Sequence, residues 1–267
     1  METLLLDAKN AGATEKAAEI LKRGGLVAIP TETVYGLAAN AFDPTACANI
    51  FKAKGRPGDN PLIVHICNMD MIADVVDEVP EKAKILAEKF WPGPLTMIMK
   101  KSGKIPMVTS ANLPTVAVRF PAHPVAQRII AESGLPLAAP SANLSGSPSP
   151  TTFEHCVHDL MGRVDAIIDG GACSVGVEST IISFADEVPM LLRPGYVTLE
   201  QLRDAIGEVG LSKAVLEKLG DGEKVLSPGM KYKHYAPKAK VSLVKGTSEQ
   251  YVQYVNEHSY EEGVFAL

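Results

Sequence analysis

The residues best suited to chemistry lie between Pro30 and His65. Pro30, Thr31, Glu32, Thr33, Val34, Tyr35, Gly36 and Leu37 form a polar, glycine-containing turn directly behind the apolar run Leu26 to Ile29. An apolar run that stops at such a turn reads as a buried strand delivering side chains to a site. Farther on, Lys54, Gly55, Arg56, Pro57, Gly58, Asp59, Asn60 and Pro61 place two cations in a loop too rich in glycine and proline to be helical. Arginine offers planar, bidentate donors to phosphate oxygens, lysine a compact mobile charge, and glycine lets backbone amides approach the same anion. The chemistry implied is a cradle for a phosphorylated ligand. From these residues alone the alternative is a solvated basic turn between two core strands.

Three later stretches have the same character. Thr115 leads into Val116 to Phe120, an apolar strand with Arg119 inside it. Such a charge is costly unless it faces solvent or finds an anion, and alternation puts Arg119, Ala117 and Thr115 on one face. Pro140 to Pro150 holds Ser141, Asn143, Ser145, Ser147 and Ser149. It is either a flexible connection or a set of hydrogen bonders for phosphate or ribose. Arg193, at the end of the strand Met190 to Leu192, is either a rim charge or a further phosphate ligand. Gly170, Gly171 and Gly176 do not sit between a strand and a helix as the dinucleotide fingerprint requires, so a nicotinamide site is rejected.

The elements that must position these groups alternate along the chain. Leu26 to Ile29 and Leu62 to Ile66, with His65 in the second, are predicted strands. Between them Asp43 is the expected N-cap of a short helix with Pro44 at its first position. Thr14 to Arg23 is predicted as an amphipathic helix capped by Thr14 and ended by Gly24. Glu81 to Phe90 is a helix broken by Trp91, Pro92, Gly93 and Pro94, and Leu95 to Met99 is a strand whose methionines pack in the core. Pro124 to Glu132, a helix from Thr151 or Thr152 to Met161, and Leu199 to Ile206 complete the predicted helices of the main domain. Leu137 to Ala139, Ala166 to Ile168, Ser179 to Ile182 and Met190 to Leu192 complete its strands. This alternation makes an α/β architecture whose sheet need not be wholly parallel. Gly207 to Val225 reads as a loosely built connector. Ser227 to Pro237 joins stiff residues with aromatics and cations, and Val241 to Val244, Ser248 to Asn256 and Val264 to Ala266 are a strand, helix and strand too small for an independent core.

Composition sets the outer bounds. A chain of 267 residues accommodates one large domain and a small one. A net charge of -5 argues against holding long RNA by bulk electrostatics but leaves room for a local basic cleft. Four cysteines without a Cys-x-x-Cys pair favour reduced thiols and a cytoplasmic setting. His155, Cys156 and His158 are not expected to bind zinc, because a helix turns Cys156 away from the two histidines and zinc needs converging ligands. No apolar run reaches the length of a membrane span, and neither a glycosidase carboxylate pair nor an Asp/Glu cluster dedicated to magnesium is evident.

The run Pro30 to Leu37, the Lys54-x-Arg56 pair continuing to Asn60, Pro61 and His65, and the Ser141-x-Asn143 element together resemble the YrdC-like threonylcarbamoyl-adenylate synthases. The resemblance covers roughly residues 12 to 206 and the linker Ser227 to Pro237, and several motifs in order are far more specific than any one. It implies a twisted mixed sheet flanked by helices around a basic central cleft in residues 1–206. It further implies a linker over the active site at 207–238, and at 239–267 the start of a Rossmann-like domain that is cut short or reduced. The implied enzyme is a nucleotidyltransferase. It joins L-threonine, bicarbonate or carbon dioxide, and ATP into threonylcarbamoyl-AMP and pyrophosphate, feeding a downstream transferase that modifies tRNA. Carried over by resemblance, Lys54, Arg56 and Arg193 serve the phosphates, with Lys54 and Arg56 catalytic, and Asn60, Thr115, Ser141, Asn143 and Ser149 the nucleotide. Thr33, His65, Arg119, the backbone of Ala139, and Ser179 serve threonine, with Arg119 on its carboxylate. His234 and Tyr235 cover the nucleotide. Magnesium is expected to ride on ATP. Two rival readings are a noncatalytic double-stranded RNA-binding module and a carbamoyl-transfer enzyme of the same superfamily, whose zinc fingers the cysteine spacing does not supply. Direct RNA binding is left open.

Overall fold

Short buried strands and the helices between them build one mixed sheet in the computed structural model, which describes residues 2–58, 60–212, 215 and 245–258. In chain order the elements are β1 (Leu4–Asp7), α1 (Ala13–Lys22), β2 (Val27–Ile29), β3 (Gly36–Asn40), α2 (Pro44–Lys54), β4 (Ile63–His65), α3 (Ile72–Val75), α4 (Glu81–Phe90), β5 (Leu95–Lys100) and β6 (Thr115–Arg119). They continue with α5 (Pro124–Ser133), β7 (Leu137–Ala138), α6 (Phe153–Leu160), β8 (Ala166–Asp169), β9 (Thr180–Ser183), β10 (Met190–Arg193), α7 (Leu199–Ile206), β11 (Gly210–Leu211) and α8 (Ser248–His258). The sheet order is β1-β8-β2-β3-β7-β4-β6-β5-β9-β10-β11. β4 pairs parallel to β6, β6 antiparallel to β5, and β5 parallel to β9, so the sheet is mixed at its centre.

Alternation along the central strands decides where the site lies. Val64, Met97, Met99, Val116, Val118 and Ile182 point into the main core with residues of α2, α4, α6 and α7. A second core packs α1 and α5 over the other end of the sheet, with Leu21, Val27, Ile29, Ile130 and Ile168 inside it. The opposite face of the centre carries a small cluster, Ile63, Ile98, Ala117, Ile181 and Leu192, contributed by strands alone. By the two-residue period, His65, Thr96 and Arg119 share that face.

Local signals explain some helix ends. Asp43 caps α2, its side chain accepting from the amides of Thr45 and Ala46, and Gly55 ends that helix in the left-handed region at φ 62°. Thr198 and Gln201 form a capping box at α7. Thr14 is not the cap of α1; Gly12, at φ 82°, occupies that position, and Thr14 lies buried inside the helix. Thr152 holds the cap position of α6 without a side-chain bond. The sheet also runs past 206, because Gly210–Leu211 pairs parallel with Met190 and Leu191, so the expected loose connector begins with a strand.

The chain divides into two compact units, Met1–Tyr235 and Ala236–Leu267. Within the second, α8 carries a stacked Tyr254–His258 pair with ring centroids 4.0 Å apart. Among the described residues no helix is long and apolar enough to cross a membrane.

Candidate active site

The strand-only face opens as a cleft whose wall begins with the turn between β2 and β3. The Thr31 hydroxyl donates to the carbonyl of Val34 at 2.6 Å and accepts from the amides of Thr33 and Val34 at 3.2 and 3.3 Å. A hydroxyl closing its own turn fixes the backbone, and here it aims Thr33 inward. Gly36 follows, where a Cβ would stand 3.2 Å from that of Ala139, so a side chain there would require Ala139, which lines the cleft, to give by a few tenths of an ångström. Thr33, Arg56, Ile63, His65, Arg119 and Ala139 line the cleft, joined by Ser141, Glu178, Ser179 and Arg193.

Arg119 is buried, and it does not face solvent. Its Nε donates to the Gly93 carbonyl at 3.3 Å, one terminal nitrogen donates to Thr33 Oγ1 at 2.8 Å, and the other makes an ion pair with Glu32 at 2.7 Å. Glu32 is held in turn by the amide of Ala122 at 3.1 Å. A guanidinium has five N–H donors; these three contacts fix its plane and leave further donors.

His65 pairs with Arg119 across β4 and β6, and its Nδ1 lies 3.2 Å from the Ile63 carbonyl. Burial, then the neighbouring Arg119 charge, push its pKa down to about 3, so the ring is neutral at physiological pH. Because the folded pKa lies below the unfolded one, the unfolded chain binds the extra proton between about pH 3 and 6.5, and stability falls as pH drops through that window. Urea unfolding at pH 6 and pH 5 is expected to show wild type losing about 1 kcal/mol more per pH unit than His65→Asn. Equal losses in the two proteins would contradict a neutral, buried His65.

The far wall is held by Arg193. Its Nε and one terminal nitrogen donate to the Ser179 carbonyl at 3.0 and 2.9 Å, and the same terminal nitrogen reaches Ser179 Oγ at 3.1 Å. Burial lowers its pKa to about 10, which leaves it cationic at neutral pH. Beside it, Ser149 donates to Glu178 Oε1 at 2.8 Å.

Lys54 departs from the loop position expected of it. It is the last residue of α2, 2% exposed, and its Nζ donates to the carbonyls of Ser141 and Asn143 and, at 3.3 Å, to Asn143 Oδ1. Burial, then Arg56, lower its pKa to about 7. Asn143 is equally committed: its Oδ1 accepts from Ser141 Oγ at 2.6 Å and its Nδ2 donates to Leu144 and Ser147 carbonyls at 2.7 and 2.8 Å. The Ser-x-Asn loop is therefore a braced structure, and Lys54 is its brace.

Residues 19–195 match the Sua5/YciO/YrdC family model, described as telomere recombination, and residues 197–267 match the threonylcarbamoyl-AMP synthase C-terminal domain. The chain belongs to the Sua5/YciO/YrdC family. It is 51% identical to the threonylcarbamoyl-AMP synthase of Bacillus subtilis (strain 168), over 93% of this chain and 70% of that one. It is 49% identical to the threonylcarbamoyl-AMP synthase of Pyrococcus abyssi, over 90% and 70%. Among solved structures, P. abyssi Sua5 complexed with L-threonine superposes with a TM-score of 0.89 at 46% identity, covering 96% of this chain and 75% of that one. E. coli YciO, at 23% identity and a TM-score of 0.66, shares the fold.

Within this Sua5/YciO/YrdC cleft the sequence-predicted residues divide. Thr33, Arg56, His65, Arg119, Ala139, Ser141, Ser179 and Arg193 converge on its wall. Lys54 and Asn143 stand behind it, braced against each other. Asn60 is buried outside that wall, with both amide atoms lacking a hydrogen-bond partner among the described residues. Thr115 lies four residues from Arg119 on the same strand face, on the order of 13 Å away at strand rise. His234 and Tyr235 lie outside the described residues. Sequence reasoning assigned no role to Thr31, Glu32, Thr96 or Glu178. Glu32 had one available signal, a carboxylate set between two threonines in the opening turn. α6 buries Cys156 and exposes His155 and His158. Among the described residues no three histidine, cysteine, aspartate or glutamate side chains group to hold a metal.

Proposed function

We infer that this chain is an L-threonylcarbamoyladenylate synthase, making threonylcarbamoyl-AMP and pyrophosphate from L-threonine, bicarbonate or carbon dioxide, and ATP. The observation that carries the reading is the near-half identity, along at least nine-tenths of the chain, to proteins bearing that name. The cleft supports it: a buried arginine with spare donors, a neutral histidine and two hydroxyls suit a small amino acid, and Arg56 and Arg193 suit a triphosphate.

The threonine amine is first carboxylated, and a carbamate oxygen then attacks the α-phosphorus as pyrophosphate leaves. Neither step requires a protein nucleophile. The cleft has to align the partners, exclude water and offset charge, and alignment alone is worth up to ~7–11 kcal/mol in favourable systems. Arg119 and Thr33 orient the carboxylate end. His65, held neutral, adds a polar contact without a competing charge. Arg56 and Arg193 face charge building on the phosphates. Magnesium would be carried in by ATP and would help offset the charge of its phosphates; Glu178, a carboxylate on the wall, accepts from Ser149. The product would pass to a transferase that acts on tRNA. A cytoplasmic setting accords with four cysteines that are all free.

Pyrophosphate release, measured with and without L-threonine and bicarbonate, tests the assignment. Release is expected only with both present, with threonylcarbamoyl-AMP seen by mass spectrometry. Equal release without threonine would overturn it.

A further inference from the structure

The main-chain turn into β9 presents two hydroxyls, and the structure separates their fates. Thr180 Oγ1 donates to the Val197 carbonyl at 2.7 Å and is spent there. Ser179 lines the cleft. Its Oγ accepts from Arg193 at 3.1 Å and lies 2.7 Å from Thr96 Oγ1. Thr96 belongs to β5, opposite Arg119 in β6 and Ile181 in β9, and is completely buried.

Counting donors decides which way the hydroxyl pair points. A hydroxyl has one hydrogen and two lone pairs. Were Ser179 to donate to Thr96, the Thr96 hydrogen would be left in the core, because Ser179 Oγ is the hydrogen-bond partner its side chain has. A buried donor without an acceptor is strongly disfavoured. With Thr96 donating, both lone pairs of Ser179 are filled, one by Thr96 and one by Arg193, and its own hydrogen is left to point into the cleft. We propose that Thr96 is a positioning residue that fixes Ser179 as a hydrogen-bond donor to an oxygen of the amino-acid substrate. The inference rests on the reading above, in which Ser179 meets threonine.

Polarity has consequences for selection. A site with a fixed donor favours a carboxylate, carbamate or hydroxyl oxygen and disfavours a ligand that presents a donor there. Loss of such a group's fixed direction affects the ligand that meets it and not one bound elsewhere in the cleft.

The test uses Thr96→Val and Thr96→Ala, which both remove the hydroxyl, and Thr96→Ser, which keeps it. Steady-state pyrophosphate release is measured against L-threonine and against ATP, with folding followed by thermal melts. The Val and Ala variants are expected to raise KM for L-threonine roughly tenfold, leaving KM for ATP within about twofold, and Thr96→Ser to restore wild-type values. Adding Ser179→Ala to either is expected to cost little more than Ser179→Ala alone, since both changes act through one hydroxyl. Wild-type threonine affinity in both deletion variants would overturn the proposal, as would equal rises in the two KM values. If wild type itself needed no threonine, the functional reading would fall and not this inference alone.

Discussion

Replacing Arg119 with alanine is expected to cost about 3–5 kcal/mol of folding stability and to abolish saturable use of L-threonine. The size follows from what is left behind. Glu32 is 6% exposed, and its carboxylate would lose its ion-pair partner while remaining in the wall. The Gly93 carbonyl and Thr33 Oγ1 would lose their donors as well. Against a typical total of about 5–15 kcal/mol, such a loss is readily measured by urea unfolding. A double variant, Arg119→Met with Glu32→Gln, removes both charges and is expected to recover most of the stability while threonine use stays lost. Recovery of stability without function would separate the turn-holding contacts of Arg119 from the proposed contact with the substrate carboxylate. Arg119→Ala as stable as wild type would show that Glu32 reaches water once its partner is gone, and the buried-pair account would fail.

How far the sequence disclosed this arrangement depended on whether the cause was local. α2 was legible because Asp43 and Pro44 at its start and Gly55 just past its end each act locally on the adjoining turn, and α4 because its apolar spacing and the following prolines are explicit. β3 was hidden. Gly-Leu-Ala-Ala-Asn has no β-branched residue, and its burial between β2 and β7 is what makes it a strand. β1 and β11 are short edge elements whose existence rests on a neighbour, β8 or β10. The cleft followed the same rule. Residue types at Arg56, His65, Arg119 and Ser179 announced polar chemistry in apolar surroundings. Which side chains touch was a matter of tertiary placement, a turn laid against β6 for Glu32 and Arg119 and the pairing of β5 with β9 for Thr96 and Ser179, and no spacing along the chain encodes that.

Lys54 and Arg56, neighbours in the sequence, are expected to fail differently when each is changed to alanine. Arg56 lines the cleft, so Arg56→Ala should keep its fold and lose adenylate formation by about 10²-fold or more, the scale of removing one group that stabilises developing charge. Lys54 points the other way, into the underside of the Ser141 loop, where one ammonium serves two carbonyls and an amide oxygen. Lys54→Ala leaves those oxygens without their charged donor and is expected to cost about 2–4 kcal/mol. Activity should fall too, through the loop and not through a lost phosphate contact. Hydrogen exchange distinguishes the two. In Lys54→Ala the amides of Ala142 and Ser145, which bond Tyr35 and Lys54 carbonyls, should exchange faster, and in Arg56→Ala they should not. Unchanged exchange in Lys54→Ala together with lost turnover would return Lys54 to the phosphates. A brace explains why a lysine with its pKa drawn down toward 7 is tolerated there: the three oxygens replace, in part, the water it gave up.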